Sequence, residues 1–170
     1  MINVVTQRLK ITPCTESHFI DIYKYSQNEE LYKYLEYNGF SDFQEFVSWL
    51  MRKLNSGVVL AIIELKSQTC IGTVSLGDIN WSRRSCSLGY ALNQDYVGRG
   101  YFSEALVCVL TKLKELGFHR TWAITQYNNL PSLKALERGG FIKEGELRDF
   151  YFDGVNFYDA VLMSYLFNLH

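Results

Sequence analysis

The sequence predicts a mixed α/β fold, with one central, mostly antiparallel sheet flanked by helices. The main observation is a run of three β-rich segments between Val58 and Leu92, separated by polar turns, which is typical of an antiparallel meander. A strong helical pattern at about 102–116 then connects the last segment to a strand at 120–126, and this is a β-helix-β unit. With 170 residues, 48% of them hydrophobic, the chain is expected to form a single domain over residues 1–170.

The remaining elements are each marked by a cap residue or by a glycine. Before the meander lie a short strand and two amphipathic helices, and after the β-helix-β unit lie a helix and a hairpin. In order they are a strand at 8–11, a helix that Thr15 or Ser17 caps, a helix that Ser41 or Asp42 caps and that ends at 55–57, a helix at 130–138 that ends at Gly139-Gly140, and two strands around Asp153-Gly154.

Composition excludes several classes of function. The 17 Lys and Arg balance the 18 Asp and Glu, so a net charge of -1 gives no field that would attract nucleic acid or an anionic membrane. The four cysteines never form a CxxC pair, so neither a redox dithiol nor a metal site is expected. The N-terminus has no secretory pattern, and the longest apolar runs are about six residues against roughly 20 for a membrane span, so we expect a soluble, cytoplasmic protein.

The segment from Val97 to Phe102 carries the clearest chemical signal. It places Gly98 and Gly100 between a predicted strand and the first turn of the long helix. Unpaired N–H groups at the helix start, the helix dipole and the Arg99 cation together predict a receptor for a phosphate-sized anion. A glycine turn that merely starts a helix is the alternative that the loop alone leaves open.

Two familiar phosphate-binding loops do not match this segment. A P-loop requires GxxxxGK[ST], and no lysine follows either glycine. The dinucleotide pattern GxGxxG is met only as Gly98-x-Gly100-x-x-Ser103, and the strand at 120–126 has no acidic residue at its end to hold a ribose. We therefore expect neither ATP nor NAD.

The ordered set of motifs resembles the GNAT superfamily of N-acetyltransferases, in particular the branch of ribosomal-protein N-terminal (alanine) acetyltransferases. The resemblance covers nearly the whole chain. Its motifs are Gln7-Arg8-Leu9, Ile71-Gly72, Gly89-Tyr90, the loop GRGYFSEAL from Gly98, Asn129-Leu130-Pro131-Ser132, the run LERGGFIKEGELRD from Leu136, and Tyr158-Asp159-Ala160-Val161-Leu162. It implies an acetyl-CoA-dependent enzyme that acetylates an amine, a splayed strand pair that holds the coenzyme, and a monomer or homodimer.

The resemblance also implies the residues that bind the coenzyme. In the family a loop written Q/R-x-x-G-x-G/A binds the pyrophosphate through backbone amides, and Val97, Gly100 and Phe102 stand at its three signature positions, so only the central glycine is kept. The pantetheine arm lies in the splay between the strand that ends near Leu92 and the strand that starts near Arg120. The implied coenzyme-binding residues are Leu92, Asn93, Val97, Gly98, Arg99, Gly100, Tyr101, Phe102, Asn129 and Ser132.

The expected proton donor rests on the same resemblance. Asn129 and Ser132 match the Asn-x-x-Ser element that meets the coenzyme near its sulfur in this branch. Many members use a tyrosine seven residues after that asparagine to protonate the thiolate, but here the position is Leu136, so Ser132 takes the role and Asn129 orients the coenzyme. A helix cap is the ordinary alternative for such a pair.

The general base is less well defined. Family members often carry a carboxylate on the strand before Gly89-Tyr90, where this chain has Ser87, so Asp78, Tyr90 or a chain of waters remains. An α-amine with a pKa of about 8 costs about 1 kcal/mol to deprotonate at pH 7, whereas a lysine at about 10.4 costs about 4–5 kcal/mol. A site without a strong base therefore favours a protein N-terminal α-amine, or another weakly basic amine, over a lysine as acceptor.

Two other functions stay open. One is acetylation of a small-molecule amine, such as a polyamine or an aminoglycoside, for which a cluster of acidic residues would be the cue; Glu29, Glu30, Glu36, Asp42 and Glu45 are concentrated in the helical region expected to form the acceptor wall. The other is a noncatalytic acyl-CoA-binding module, which Phe102 and the missing carboxylate would permit. We expect the acceptor to enter past the stretch from Tyr32 to Phe40 and the hairpin near 148–157.

Overall fold

The computed structural model describes residues 2–34 and 39–167, which form an eight-stranded sheet with helices on both faces. The strands are β1 Val4–Val5, β2 Leu9–Pro13, β3 Val58–Glu64, β4 Thr69–Asn80, β5 Ser85–Leu92, β6 Arg120–Gln126, β7 Ile142–Phe152 and β8 Phe157–Leu166. The helices are α1 Phe19–Ser26, α2 Glu29–Tyr32, α3 Phe43–Ser56, α4 Tyr101–Glu115 and α5 Leu130–Arg138, with single 3-10 turns at Glu16–His18 and Gln94–Tyr96.

The sheet confirms the predicted mixed, mostly antiparallel fold. Its strand order is β1-β2-β3-β4-β5-β6-β8-β7, and β5–β6 is the parallel pair, with α4 as the crossover. The meander, the β-helix-β unit and the terminal hairpin lie where the sequence predicted them. The two-residue strand β1 and the four-residue helix α2 were not predicted, since segments of that length leave no measurable periodicity.

The predicted helix caps are also found. The capping box of Thr15 and His18 starts a 3-10 turn that leads into α1, and the Asp42 carboxylate accepts a hydrogen bond from the Glu45 amide at the start of α3. Two members of the predicted apolar stripes, Ile20 and Phe43, are exposed, and both lie in the first turn of their helices.

Two separate cores cover the two faces of the sheet. Along β3, alternate residues face opposite ways, so Leu60 and Ile62 pack with α4 and α5, whereas Val59, Ala61 and Ile63 pack with α1 and α3. The first core contains most of α4, whose buried positions recur at helical spacing. The second core is rich in aromatic rings, which are centred on the fully buried Phe46.

The parallel pair β5–β6 is splayed, as the resemblance implied. The two strands pair through only three positions, Ser85↔Arg120, Cys86↔Thr121 and Ser87↔Trp122. Beyond them β5 continues along β4 as far as Leu92, and β6 continues along β8 as far as Gln126. The carboxyl ends of two neighbouring parallel strands are thus left apart in the middle of the sheet, where ligands of such folds commonly bind.

The four cysteines are free thiols, and the burial of Cys70 raises its pKa to about 12. In the described ranges, no three or more His, Cys, Asp or Glu side chains are grouped so as to hold a metal ion. None of the helices in that part of the chain combines the length and the apolar character needed to cross a membrane.

Candidate active site

A cleft of about 840 Å³ opens where β5 and β6 diverge. Residues 88–92 of β5 and 123–125 of β6 form its middle. One end is bordered by the glycine loop before α4 and by the first turns of α5, and the other end by α1, α2 and α3 on the opposite face of the sheet. The cleft therefore passes through the sheet and joins the expected coenzyme side to the expected acceptor side.

The main chain of β5 directs hydrogen-bonding groups into this cleft. The Asn93 amide donates toward β4 (2.8 Å), whereas the Arg84 carbonyl accepts from the His119 amide on the β6 side (2.7 Å). Since successive residues of a strand direct their N–H and C=O groups to opposite sides, those of Tyr90 and Leu92 face β6. Because β6 has already separated at this point, the main-chain groups of Tyr90 and Leu92 line the opening.

The glycine loop presents backbone amides at the coenzyme end. Gly98 (φ 77°) and Gly100 (φ 79°) adopt the left-handed conformation, which costs a residue with a Cβ roughly 1–2 kcal/mol. Within residues 2–34 and 39–167 no acceptor pairs with the amides of Gly98, Arg99 and Gly100, and the first amides of α4 have no partner inside the helix. With the positive end of the helix dipole, these donors fit the pyrophosphate of a coenzyme.

The two departures from the family loop are placed differently. Phe102 is buried in the core, and its ring stacks on the ring of Tyr90 with 3.8 Å between centroids. Val97 lies exposed at the cleft margin. Phe102 thus contributes to the cleft wall by packing against β5, and its bulk is accommodated in the core.

Asn129 and Ser132 lie together at the start of α5, and both line the cleft. The Asn129 side chain accepts a hydrogen bond from the Ser132 amide (3.2 Å), so Asn129 is the N-cap of α5. The Ser132 hydroxyl is hydrogen-bonded to the Tyr90 hydroxyl (2.7 Å) on the facing strand. Burial raises the pKa of Tyr90 to about 12, against the opposing effect of that hydrogen bond, so the phenol is protonated at neutral pH.

Three of the predicted site residues do not line the cleft. Asp78 is exposed in a bulge of β4, next to Gly77, which pairs with Ser87 at the closed end of the β5–β6 pair. The Asn93 amide is used by β4, and its side chain accepts from the Asp95 amide (3.1 Å), so it caps the following turn. The Arg99 guanidinium lies over the ring of Tyr96, and Arg99 itself is not among the residues that line the cleft.

The acceptor end of the cleft does not gather the predicted acidic cluster. Glu30 lines it together with Lys53, whereas Glu29 is exposed in the first turn of α2. The other carboxylates stabilise the start of α3, where Asp42 accepts from the Glu45 amide and Glu45 accepts from the amide and the hydroxyl of Ser41. Glu36 and the rest of residues 35–38 lie outside the described residues.

The structure adds two contacts that residue patterns did not identify, the first of them at Tyr90, which the sequence offered only as a possible general base. One is the Tyr90 hydroxyl on Ser132, whose pairing joins positions 42 residues apart. The other is Arg8, which the sequence showed only as part of a family motif and whose guanidinium reaches the glycine loop. From the terminal hairpin, Tyr151 lines the cleft and donates to the Ile124 carbonyl (3.2 Å).

Comparison with known proteins agrees with this geometry. The model of the acetyltransferase (GNAT) domain matches residues 8–142. The chain is 27% identical over 161 residues to the N-acetyltransferase p20 of Bacillus licheniformis, covering 88% of each chain. It is 30% identical over 105 residues to the ribosomal-protein-serine acetyltransferase of Escherichia coli strain K12, covering 58% of this chain and 59% of that protein.

A similar solved structure shares the whole fold. The ribosomal L7/L12 alpha-N-protein acetyltransferase RimL, solved in complex with coenzyme A, superposes with a TM-score of 0.90 at 17% identity over 100% of both chains. The splayed β5–β6 pair and the amide-rich loop before α4 are thus set in a fold that this acetyltransferase also has. This chain belongs to the GNAT family and is an acetyl-CoA-dependent N-acetyltransferase.

Proposed function

We propose that this enzyme transfers the acetyl group of acetyl-CoA directly to the N-terminal α-amine of a protein. The observation that carries the proposal is the acceptor end of the cleft, where Glu30 is the carboxylate among the described lining residues and where Lys53 also lines the wall. A polyamine or an aminoglycoside carries several cations and is recognised by several carboxylates. A wall whose described residues include one carboxylate and one lysine instead suits an acceptor with a single amine.

The proposed coenzyme site uses the main chain more than side chains. The amides from Gly98 to Phe102 bind the pyrophosphate, and the main-chain groups of Tyr90 and Leu92 pair with the pantetheine arm as an added strand would. Acetyl-CoA supplies the activated thioester. The amide of Leu92 faces the opening and is our candidate for polarising the thioester carbonyl.

Ser132 is proposed to stabilise the departing thiolate. In this proposal the Ser132 hydroxyl donates a hydrogen bond to the developing charge on sulfur. The protonated Tyr90 phenol is then taken as the donor in its contact with Ser132 Oγ, at 2.7 Å between the two hydroxyl oxygens. A donor chain of this kind makes the serine hydroxyl a better hydrogen-bond donor than it would be alone. Asn129 contributes by fixing the first turn of α5, which holds Ser132 in place.

The amine is proposed to reach the thioester in its neutral form. Asp78 lies outside the cleft, so the structure gives no support to it as general base, and the proton leaves through solvent. The energetic cost of this route is acceptable for an α-amine, at about 1 kcal/mol at pH 7, but high for a lysine side chain, at about 4–5 kcal/mol. The relationship to a ribosomal-protein-serine acetyltransferase supports the same acceptor class.

A panel of acceptors tests this function. Peptides with different first residues, the same peptides with a blocked α-amine and a free lysine, polyamines and aminoglycosides are compared by release of coenzyme A thiol. We expect turnover with free α-amines and little with the blocked peptides. Faster turnover with polyamines or aminoglycosides than with every peptide would assign a small-molecule acceptor instead, and coenzyme binding without thiol release for any amine would show a noncatalytic binding module.

A further inference from the structure

The glycine loop before α4 is contacted by Arg8, which directly precedes β2 in the chain. Arg8, on the turn that enters β2, donates through Nη1 to the carbonyl of Arg99 (3.0 Å), across 91 positions of sequence. Its Nη2 atom lies 3.5 Å from the place that a Cβ on Gly100 would occupy. The guanidinium also covers the face of the Tyr101 ring, with 4.3 Å from Cζ to the centroid. Arg8 thus contacts Arg99 and Tyr101 and lies close to Gly100 between them.

Further contacts fix the guanidinium itself. Its Nε donates to the Glu104 carboxylate (2.7 Å), which also accepts from the Arg8 amide (3.1 Å) and from the Thr6 hydroxyl (2.5 Å). Burial acts to raise the pKa of Glu104, but the hydrogen bonds from Thr6 and Arg8 outweigh it and hold that pKa below its usual value. On the far side of the ring, the Tyr101 hydroxyl donates to Glu64 at the end of β3 (2.5 Å). The arginine therefore has a defined position.

Fixing the Arg99 carbonyl also fixes the next amide. In a trans peptide the C=O of one residue and the N–H of the following residue lie in one plane and point in opposite directions. Because the Arg99 carbonyl points to Arg8 beneath the loop, the Gly100 N–H points to the other side, where Gly100 borders the cleft. A glycine-flanked peptide has little intrinsic preference for one orientation, so the hydrogen bond from Arg8 decides which face presents the donor.

We propose that Arg8 is a positioning residue for the coenzyme, which orients the Arg99–Gly100 peptide so that its amide faces the pyrophosphate. The inference rests on the proposed coenzyme site. Arg8 acts through the loop and needs its planar, forked guanidinium, since Nε and Nη1 bind two different partners, Glu104 and the Arg99 carbonyl. A lysine has the charge but cannot make both bonds in fixed geometry.

The test compares a ligand that has the pyrophosphate with one that lacks it. The Kd of coenzyme A is measured by calorimetry, and the Ki of pantetheine is measured by its competition with coenzyme A. We expect Arg8→Gln and Arg8→Lys to raise the Kd of coenzyme A by about 10- to 100-fold, which is the usual effect of losing hydrogen bonds to a charged group. Pantetheine, which does not reach the loop, should bind each variant as it binds the parent protein.

Glu104→Gln separates positioning from simple attraction. If Arg8 acted only through its charge, removing the negative charge of Glu104 would strengthen the binding of coenzyme A, because the ligand is an anion. Positioning predicts the opposite result, since Arg8 loses its charged partner and the loop loses its fixed orientation. Arg83→Gln, in the exposed turn between β4 and β5, removes the same charge as Arg8→Gln and is expected to leave both constants unchanged.

The outcomes are distinguishable. If Arg8→Lys binds coenzyme A as the parent does, or Glu104→Gln binds it more tightly, Arg8 has no positioning role. If coenzyme A and pantetheine bind the parent protein equally well, the pyrophosphate gains nothing from the loop and the proposed coenzyme site itself is wrong. A variant that loses affinity for both ligands together with its melting transition would mean that Arg8 only maintains the fold, which also overturns the inference.

Discussion

Ser132→Ala tests the proposed chemistry most directly, because the structure separates the two roles that this serine has in the chain. The cap of α5 uses the Ser132 backbone amide and the Asn129 side chain (3.2 Å), so alanine leaves it intact. The hydroxyl instead binds Tyr90 (2.7 Å), and that contact is lost. We therefore expect turnover to fall by about 10- to 100-fold, in line with the loss of one donor to developing charge.

The expected loss of stability is small. One hydrogen bond of this kind contributes about 0.5–1.5 kcal/mol, and the Tyr90 phenol can still donate to the Ser132 carbonyl, which lies 3.3 Å away. For a chain of this length, that corresponds to a fall in melting temperature of a few °C, on the order of 2–4 °C per kcal/mol. Asn129→Ala, which removes the cap itself, should lower the free energy of unfolding by about 1 kcal/mol, so its melting temperature shows how much stability the cap contributes.

The assay follows thiol release at saturating acetyl-CoA and peptide, with the Kd of coenzyme A and the melting temperature measured on the same protein. Tyr90→Phe keeps the ring stacked on Phe102 and removes only the hydroxyl, so we expect a smaller fall in turnover than for Ser132→Ala. If Tyr90 acts through Ser132, the double variant turns over no more slowly than Ser132→Ala. Unchanged turnover in Ser132→Ala, or additive losses in the double variant, would refute the proposed donor pair.

Three further outcomes follow from the geometry. Gly100→Val should weaken the binding of coenzyme A by about 10-fold or more, because a branched side chain is strained at φ 79° and meets Arg8. Gly98→Ala, which has open space around its Cβ, should weaken binding less, and calorimetry compares the two Kd values. Asp78→Asn should leave the pH–rate profile unchanged; loss of the fall in rate at low pH would restore Asp78 as the general base, because a base stops working when it is protonated. The hydrogen bonds from the Arg120 guanidinium lower the pKa of Glu144 to about 2, so the stability that this carboxylate contributes is present above its unfolded pKa near 4.5 and is lost as the pH falls toward about 2. The melting temperature of Glu144→Gln should therefore depend less on pH between about 4.5 and about 2 than that of the parent protein. The same dependence of melting temperature on pH in both proteins would contradict the assignment.

Residue patterns predicted the sheet better than they predicted the site. The meander and the helices α4 and α5 follow from local periodicity, caps and glycines, which act within about one element. The exposed positions of Ile20 and Phe43 show the limit, since a helical stripe marks a face but not how wide the contact with the sheet is. The strand β1 and the helix α2 are too short to repeat a pattern at all.

The roles of site residues were less predictable where they depend on contacts between residues far apart in the sequence. Asp78 was chosen by residue type and position in the chain, and Asn93 by its place in the splay that the resemblance implied. A bulge turns Asp78 into solvent, and hydrogen bonds occupy Asn93. The contacts on which the proposed site rests, Arg8 with the Arg99 carbonyl and Tyr90 with Ser132, join residues 91 and 42 positions apart. No local propensity encodes such contacts, because they depend on the register of strands and on the crossing of α4 and α5 over the sheet.

The proposed mechanism gives a physical reason for the side chains that depart from the family pattern. Leu136, where many relatives have the acidic tyrosine, is fully buried in the core, so α5 supplies no phenol to the cleft. Tyr90 brings a phenol from the facing strand β5 to Ser132 instead, and Phe102, which replaces a small residue, stacks on that ring and fixes its plane. The loss of the tyrosine on α5 and the gain of bulk at the start of α4 are then two parts of one arrangement. Replacing Phe102 with alanine should accordingly lower turnover through Tyr90 as well as affect the loop, and a Phe102→Ala, Tyr90→Phe pair with additive losses in turnover would show that the ring stack has no catalytic consequence.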